Sequence, residues 1–177
     1  MPTLFLLRHA KSSWADESQR DFDRPLANRG LKAAPRIGAY MRDNRLRPNF
    51  ILCSTSRRTR ETLGLILPFL EGESRILMED GIYDMTAASD LLDRLRHLPK
   101  TASRVLVIGH NPILHDTALA LVESAMDPIQ GAMLEEKFPT GALAAIDMKD
   151  TPWPALAPHT GVLNDYVIPR ELDRDET

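Results

Sequence analysis

Short apolar runs recur along the chain at Thr3 to Leu7, Phe50 to Cys53, Ile76 to Met78 and Val105 to Ile108, the first and last read as kernels of strands over residues 3–8 and 104–109. The first does not alternate with polar residues, so it is expected to be buried on both faces, as a strand inside a parallel sheet is. Between them the apolar residues return at helical spacing: Leu31, Ala34, Ile37 and Met41; then Leu63, Ile66, Leu67 and Leu70; then Leu91, Leu92, Leu95 and Leu98. Strand and helix in alternation predict an α/β fold, three layers deep (α/β/α), around a mostly parallel central sheet. Two late strands, Gly141 to Asp147 and Gly161 to Ile168, are separated by a loop carrying Pro152, Trp153, Pro154 and Pro158.

The polar punctuation sets the element ends. Asn28 is placed to cap a helix running to about Asp43, and Pro35, beyond its first turn, predicts a kink or a later start. Pro68 is expected to fray the second helix, and Pro99 to stop a helix over residues 89–98. Asn111 followed by Pro112 reads as a cap and first-turn pair, so a helix should begin directly after His110 with its free amides toward the strand end. Lys11 to Arg24, rich in Ser and Asp, reads as a loop over the end of the first strand.

Composition narrows the partners. With 177 residues and 43% hydrophobic content, the chain suffices for one substantial core, and a single domain over residues 1–177 is expected. A net charge of −3 gives no global attraction to nucleic acid or to an anionic membrane, so any anion site must be a local concentration of positive charge. Met1-Pro2 leads straight into a strand without a basic leader or a membrane-length apolar span, which points to a cytoplasmic protein. The single cysteine, Cys53, has no partner for an internal disulfide, in keeping with a reducing compartment.

The candidate chemistry lies where the apolar runs stop. The first runs into Arg8-His9, the fourth into Gly109-His110, and the second into Ser54 and an arginine-rich helix start with Arg57, Arg58 and Arg60. In an open α/β sheet, residues just past the carboxyl ends of parallel strands converge on one crevice. Histidine among arginines suits phosphoryl transfer, which needs an in-line nucleophile and positive donors around the equatorial oxygens. His9 is the candidate nucleophile, kept neutral by nearby guanidinium charge. Arg8 and a second arginine from that helix start are candidates to grip phosphate by forked hydrogen bonds. His110, protonated when the dianion is bound, would stabilise developing charge, and Ser54 and Asn111 are further candidate phosphate ligands.

Leu7-Arg8-His9-Ala10 resembles the Arg-His-Gly signature of the histidine phosphatase superfamily, whose fold is that of the phosphoglycerate mutases. Ser54, Arg58 and Thr62 match its Ser-x(3)-Arg-x(3)-Thr pattern, and Gly109-His110-Asn111 is similar to its second histidine motif. Arg8-His9-Ala10-Lys11-Ser12, Asp23-Arg24-Pro25-Leu26 with Arg29-Gly30, Gly109-His110-Asn111-Pro112 and Phe138-Pro139-Thr140-Gly141 resemble the small SixA-like phosphohistidine phosphatases, and these segments span most of the chain. The resemblance implies catalytic roles for His9, His110, Arg8 and Arg58, transient phosphorylation of His9 and cleavage of that phosphohistidine by water, without metal or other cofactor. It implies as partner a phosphohistidine-containing protein of the phosphotransfer or phosphocarrier type, and a place in signal transduction. Position 10 is alanine rather than the superfamily's glycine, as in the small branch. The Glu-rich segment that supplies a general acid in mutases is missing, and Glu79, Asp80, Tyr83 and Asp84 occupy its region without matching it. A departing imidazole, whose conjugate acid lies near pKa ~6.5, needs such an acid far less than an alkoxide does, so the gap fits a P–N substrate.

Two other functions share these residues. A small phosphate monoester could use the same pocket with Glu79, Asp84 or a loop carboxylate as acid, and a noncatalytic phosphohistidine reader would need the arginines but no nucleophile. The remaining features carry structural expectations. His97 sits at a helix end, His159 in an exposed loop, and His115, five positions after His110, lacks the metal-binding spacing of four. Cys53 has no Cys-x(5)-Arg loop and reads as a buried strand residue. The acidic stretch from Asp16 to Asp23 reads as a solvated loop rather than a magnesium site, and Arg57 and Arg60 as a solvated helix face or as recognition of an acidic substrate.

Overall fold

The computed structural model describes residues 1–173. Seven strands, β1 (Thr3–Arg8), β2 (Phe50–Ser54), β3 (Arg75–Glu79), β4 (Arg104–Gly109), β5 (Val122–Ala125), β6 (Leu143–Asp147) and β7 (Gly161–Val167), form one sheet in the order β3-β2-β4-β1-β6-β7-β5. Strands β3, β2, β4 and β1 are mutually parallel, β6 is antiparallel to both its neighbours, and β5 is parallel to β7. Seven helices accompany them: α1 (Asn28–Asp43), α2 (Arg57–Ile66), α3 (Asp80–Asp84), α4 (Ala88–Arg96), α5 (Ile113–Leu121), α6 (Pro128–Glu136) and α7 (Pro169–Leu172).

Strands β1, β2 and β4 bury both faces, whereas the edge strand β3 leaves Arg75, Ile76 and Met78 exposed. Phe5 and Leu7 of β1 join Ile51, Leu106 and Ile108 against Ala34, Ile37 and Met41 of α1 and Leu63 and Ile66 of α2. Leu4 and Leu6 join Leu52, Val105 and Val107 against Leu91 and Leu95 of α4 and Leu114, Ala118 and Leu121 of α5. The result is the expected three-layer α/β/α arrangement with a mostly parallel sheet.

Several boundaries differ from the sequence expectation, each for a local reason. Ala27 rather than Asn28 is the cap of α1, because the Ala27 amide is held on the Lys11 carbonyl (2.9 Å) and Asn28 is thereby the first helical residue. Pro35 lies inside α1, which does not start late: the packing of Ala34, Ile37, Gly38 and Met41 outweighs a proline penalty of about 3 kcal/mol. Asn111 does not cap the helix after His110. Its amide donates to the Phe138 carbonyl (2.7 Å), Pro112 stands at the cap, and α5 begins at Ile113. Helices α3 and α6 and strand β5 have no counterpart in the sequence reading. Helix α6 buries only Leu134 and β5 leaves Glu123 and Ser124 exposed, so neither carries a strong apolar period.

Candidate active site

Strand register brings the two histidines together. In the parallel pair β1–β4, Arg8 faces Gly109, so the next residues, His9 and His110, emerge side by side at the same sheet edge. The His9 amide donates to the Gly109 carbonyl (3.2 Å), and the ring centroids lie 5.4 Å apart. Strand β2 flanks β4 on its other side and delivers Ser54 to the same edge. The next helix, α2, carries Arg58 inward, with Arg58 only 6% exposed. Thr62 locks this helix to the loop after β1: it accepts the Ala10 amide (3.0 Å) and donates to the Arg58 carbonyl (2.7 Å).

Each ring has a defined tautomer. His9 Nδ1 donates to the Ala10 carbonyl (2.7 Å), which leaves Nε2 as the bare nitrogen. His110 Nδ1 faces the Arg58 guanidinium (3.3 Å), a donor only, so Nδ1 accepts and the proton sits on Nε2, which donates to Ser54 Oγ (2.8 Å). Burial pushes the His9 imidazolium pKa down to about 3, with the charges of His110, Arg58 and Arg8 adding to the shift and the Ala10 hydrogen bond opposing it. His110 is lowered to about 4, again first by burial and then by Arg58, with Asp21 opposing. Both rings are therefore neutral at physiological pH. Loss of hydration weighs more than the guanidinium repulsion expected from the sequence.

The cationic side chains are held from outside the crevice. Arg8 Nη1 donates to the Phe138 carbonyl (3.1 Å), while its Nε is buried without a partner among the described residues. Arg58 donates to the Asp21 carbonyl (2.7 Å) and to the Asp21 carboxylate (3.0 Å). Asp21 also accepts from Tyr83 (2.8 Å) and Arg24 (2.9 Å). Burial alone would raise its pKa, yet the hydrogen bonds from Tyr83 and Arg24 and the Arg58 charge prevail and hold it at about 2. Arg24, buried, donates to Ser12 and Ser13 and stacks on the exposed ring of Trp14, 3.2 Å from its centre. The loop before β6 closes the far wall. Gly141, at φ +77°, donates its amide toward the Arg8 and His9 carbonyls (3.1 and 3.0 Å).

The residues so assembled line a small crevice of about 190 Å³, its walls including Arg8, His9, Arg24, Arg58, His110 and Asn111. Of the sequence candidates, His9, His110, Arg8 and Arg58 converge as expected. Ser54 does not reach the crevice: it is fully buried beneath His110, and its hydroxyl accepts the Nε2 proton instead of facing an anion. Asn111 lines the wall, with an amide proton committed to Phe138. Among the four residues in the place of a general acid, Glu79 is clamped by Arg94 (2.6 Å) and Asp80 receives the Thr55 hydroxyl. Tyr83 sets its ring edge-on to His110, 5.5 Å away. The sequence reading missed Asp21, Arg24 and Trp14. Asp21 had been grouped with a solvated acidic loop, although its interleaving with Arg20 and Arg24 was a visible sign of paired charge.

The other histidines and Cys53 play structural parts. His97 caps α4 on the Asp93 carbonyl (2.7 Å), His115 donates to the Leu134 carbonyl (2.6 Å), and His159 is exposed. Burial pushes the Cys53 thiol up to about 12. Among the described residues no group of three or more His, Cys, Asp or Glu is placed to hold a metal ion, and no helix is long and apolar enough to cross a membrane.

Comparison with known proteins agrees with this geometry. The family model of the histidine phosphatase superfamily (branch 1) matches residues 4–89. An uncharacterised protein of Mycobacterium tuberculosis, Rv1276c, is 30% identical over 168 residues, covering 93% of this chain and all of that one. The structure of a candidate phosphohistidine phosphatase, SixA, of Agrobacterium tumefaciens superposes with a TM-score of 0.78 at 30% identity, covering 95% of this chain and 99% of that one. A second such structure, from Nakamurella multipartitia, gives 0.77 at 28% identity, with 95% and 96% covered. With two histidines and two arginines converging at the ends of β1, β4 and β2, and relatives matched along almost its whole length, the chain belongs to the SixA-like branch of the histidine phosphatase superfamily.

Proposed function

We propose that this phosphatase hydrolyses phosphohistidine on a protein, through a covalent phosphohistidine intermediate on His9. The observation that carries the reading is that no carboxyl group among the described residues lines the crevice, and that Asp21, paired with the crevice's Arg58, is held ionised at about 2. No carboxylic acid stands ready to protonate a departing alkoxide, whereas phosphohistidine needs none.

The Nε2 lone pair of His9 attacks phosphorus as the P–N bond to the substrate ring breaks. With the other nitrogen of that ring already protonated, the leaving group departs as neutral imidazole and carries away the bonding pair. His9 keeps its own proton at Nδ1, on the Ala10 carbonyl, throughout. Phospho-His9 is thus itself a protonated phosphoimidazole, and when water attacks it, His9 leaves as neutral imidazole while the water's proton passes to phosphate or solvent. Both bonds are P–N bonds, so the first transfer is nearly balanced in free energy. Arg8 and Arg58 supply fixed positive charge for the equatorial oxygens. An arriving dianion offsets the charges that depress His110, and Nδ1 then takes a proton and turns from acceptor to donor.

A crevice of about 190 Å³ holds a phosphoryl group and little else, below the roughly 300–1,000 Å³ typical of sites that enclose a small molecule. The rest of the substrate must lie outside, as a protein does. The test is a panel of a phosphohistidine phosphotransfer protein, phosphoramidate and alkyl phosphate esters, run on wild type, His9→Ala and His110→Ala. Wild type should release phosphate from the first two well ahead of the esters, and His9→Ala from none. Faster ester hydrolysis would transfer the reading to a small-molecule phosphatase, and full turnover by His9→Ala would remove the covalent step.

A further inference from the structure

A second concavity, larger than the catalytic crevice at about 540 Å³, opens beside it, and the two share Lys11 and Thr140 as a common wall. One side is the α1 face carrying Arg29, Lys32 and Arg36, and the other is formed by Lys137 and Arg170 on segments flanking β6 and β7. Lys11, Arg29, Lys32, Lys137 and Arg170 are all exposed, and none has a carboxylate within ion-pair distance among the described residues, although the protein as a whole carries net negative charge. Arg36 is paired with Asp173 at the rim.

Stability does not explain this arrangement. Arg29 and Lys32 lie in the first turns of α1, where the helix dipole favours negative charge, and that turn has no acidic residue. Arg29, Lys32 and Arg36 follow one another at spacings of three and four, where like charges repel. An anionic partner reverses both penalties. The groove is also tied firmly to the chemistry: the Lys11 carbonyl accepts the Ala27 amide, and Gly30 packs so closely on it that a Cβ there would lie 2.2 Å from the oxygen.

We propose that this groove docks an acidic helical face of the phosphorylated partner protein and so presents its phosphohistidine to His9; the proposal rests on the protein-phosphohistidine reading above. Arg29 and Lys32, together with Arg36, whose bond to Asp173 a docking carboxylate would have to share, span about 10 Å along the α1 axis, the run of a facing helix with carboxylates at i, i+4 and i+7. Five of the six cations that line the groove are exposed and Arg36 is half-buried, which suits a macromolecular surface better than a small ligand that must be buried.

The test uses two fluorescent helical peptides without phosphate, identical except that one carries Glu and the other Gln at i, i+4 and i+7, titrated against the whole protein. The Glu peptide should bind wild type roughly tenfold more tightly, and the preference should vanish at high salt, where screening shortens to a few ångströms. It should vanish in Lys32→Glu/Arg170→Glu and shrink in the milder Lys32→Gln/Arg170→Gln, with phosphoramidate turnover unchanged in both. Equal binding of the two peptides by wild type overturns the proposal, and so does tighter binding of a single-stranded RNA of matched charge. The two readings separate cleanly. Glu-selective binding with no phosphohistidine turnover removes the functional reading and keeps the groove, whereas turnover of the phosphohistidine protein with no Glu selectivity does the reverse.

Discussion

Two imidazoles kept neutral inside the folded protein make its stability fall as the solution becomes acidic. In the unfolded chain His9 and His110 return to a value near 6.5, whereas folded they stand at about 3 and about 4. The folded state therefore binds fewer protons in this window. Its stability is complete well above pH 6.5 and is lost progressively as pH falls toward the folded values. At about pH 5, some 1.5 units below the unfolded value, His9 costs about 2 kcal/mol at 1.36 kcal/mol per unit. His110, which water still reaches, adds on the order of 1 kcal/mol. Asp21 does not enter this window. Its carboxyl is depressed to about 2 from 3.8, so its contribution is present above 3.8 and fades only below it.

The perturbation is His9→Gln/His110→Gln, which keeps polar side chains of similar reach but removes both titrations. Urea unfolding at about pH 7.5 and about pH 5 then isolates their effect. With an m-value of about 2 kcal/mol/M, wild type should lose roughly 1.5 M more of its midpoint on acidification than the double variant does. Equal losses in the two proteins would refute the argument, because they would show that the rings are as freely protonated folded as unfolded.

Two further outcomes follow from the packing around these rings. Ser54→Ala leaves the His110 Nε2 proton without its 2.8 Å acceptor and should cost about 1–2 kcal/mol of stability and roughly a tenfold loss in kcat with little change in KM; steady-state kinetics and urea melts check both. Gly30→Ala drives a methyl to 2.2 Å from the Lys11 carbonyl and should cost about 1–3 kcal/mol, while Gly64→Ala in α2, with nothing within 4 Å, should be neutral or stabilising by about 0.5–1 kcal/mol. Similar melting temperatures for the two glycine variants would contradict this.

How far the sequence discloses the fold depends on how many faces each element buries. Strands β1 and β4, covered on both sides, are apolar throughout their interiors (Leu4 to Leu7 and Val105 to Ile108) and their expected ends coincide with the observed ones. Strand β3, at the sheet edge with three exposed residues, is one residue longer at each end than its apolar kernel shows. Strand β5 and helix α6 cover the opposite edge and bury so little that no period marks them. Asn111-Pro112 misled because a side-chain amide can satisfy a carbonyl distant in sequence as readily as its own helix, and the Phe138 carbonyl, left free by the loop before β6, won that amide.

The site divides along the same line. His9 and His110 were legible because a strand end is a fixed address: once β1 and β4 are parallel neighbours in register, the residues after them must meet. Arg58 was legible for a similar reason, since only Thr55 and Ser56 separate the end of β2 from the start of α2. The role of Ser54 was not, because alternation along a strand does not say whether a terminal hydroxyl faces the ligand or the back of a neighbouring ring. Asp21 was hidden most deeply, on a loop with no period. Yet several guanidiniums gathered around neutral histidines demand a counterion when no phosphate is present, since like charges packed at low dielectric repel by several kcal/mol even at an effective constant of about 20. Asp21 supplies it. One carboxylate and its own carbonyl hold Arg58, Arg24 and Tyr83 in place. The search for an acid in such a crevice is therefore better framed as a search for the anion that balances it, and a carboxylate that three donors hold in its ionised form is poorly suited to give up a proton.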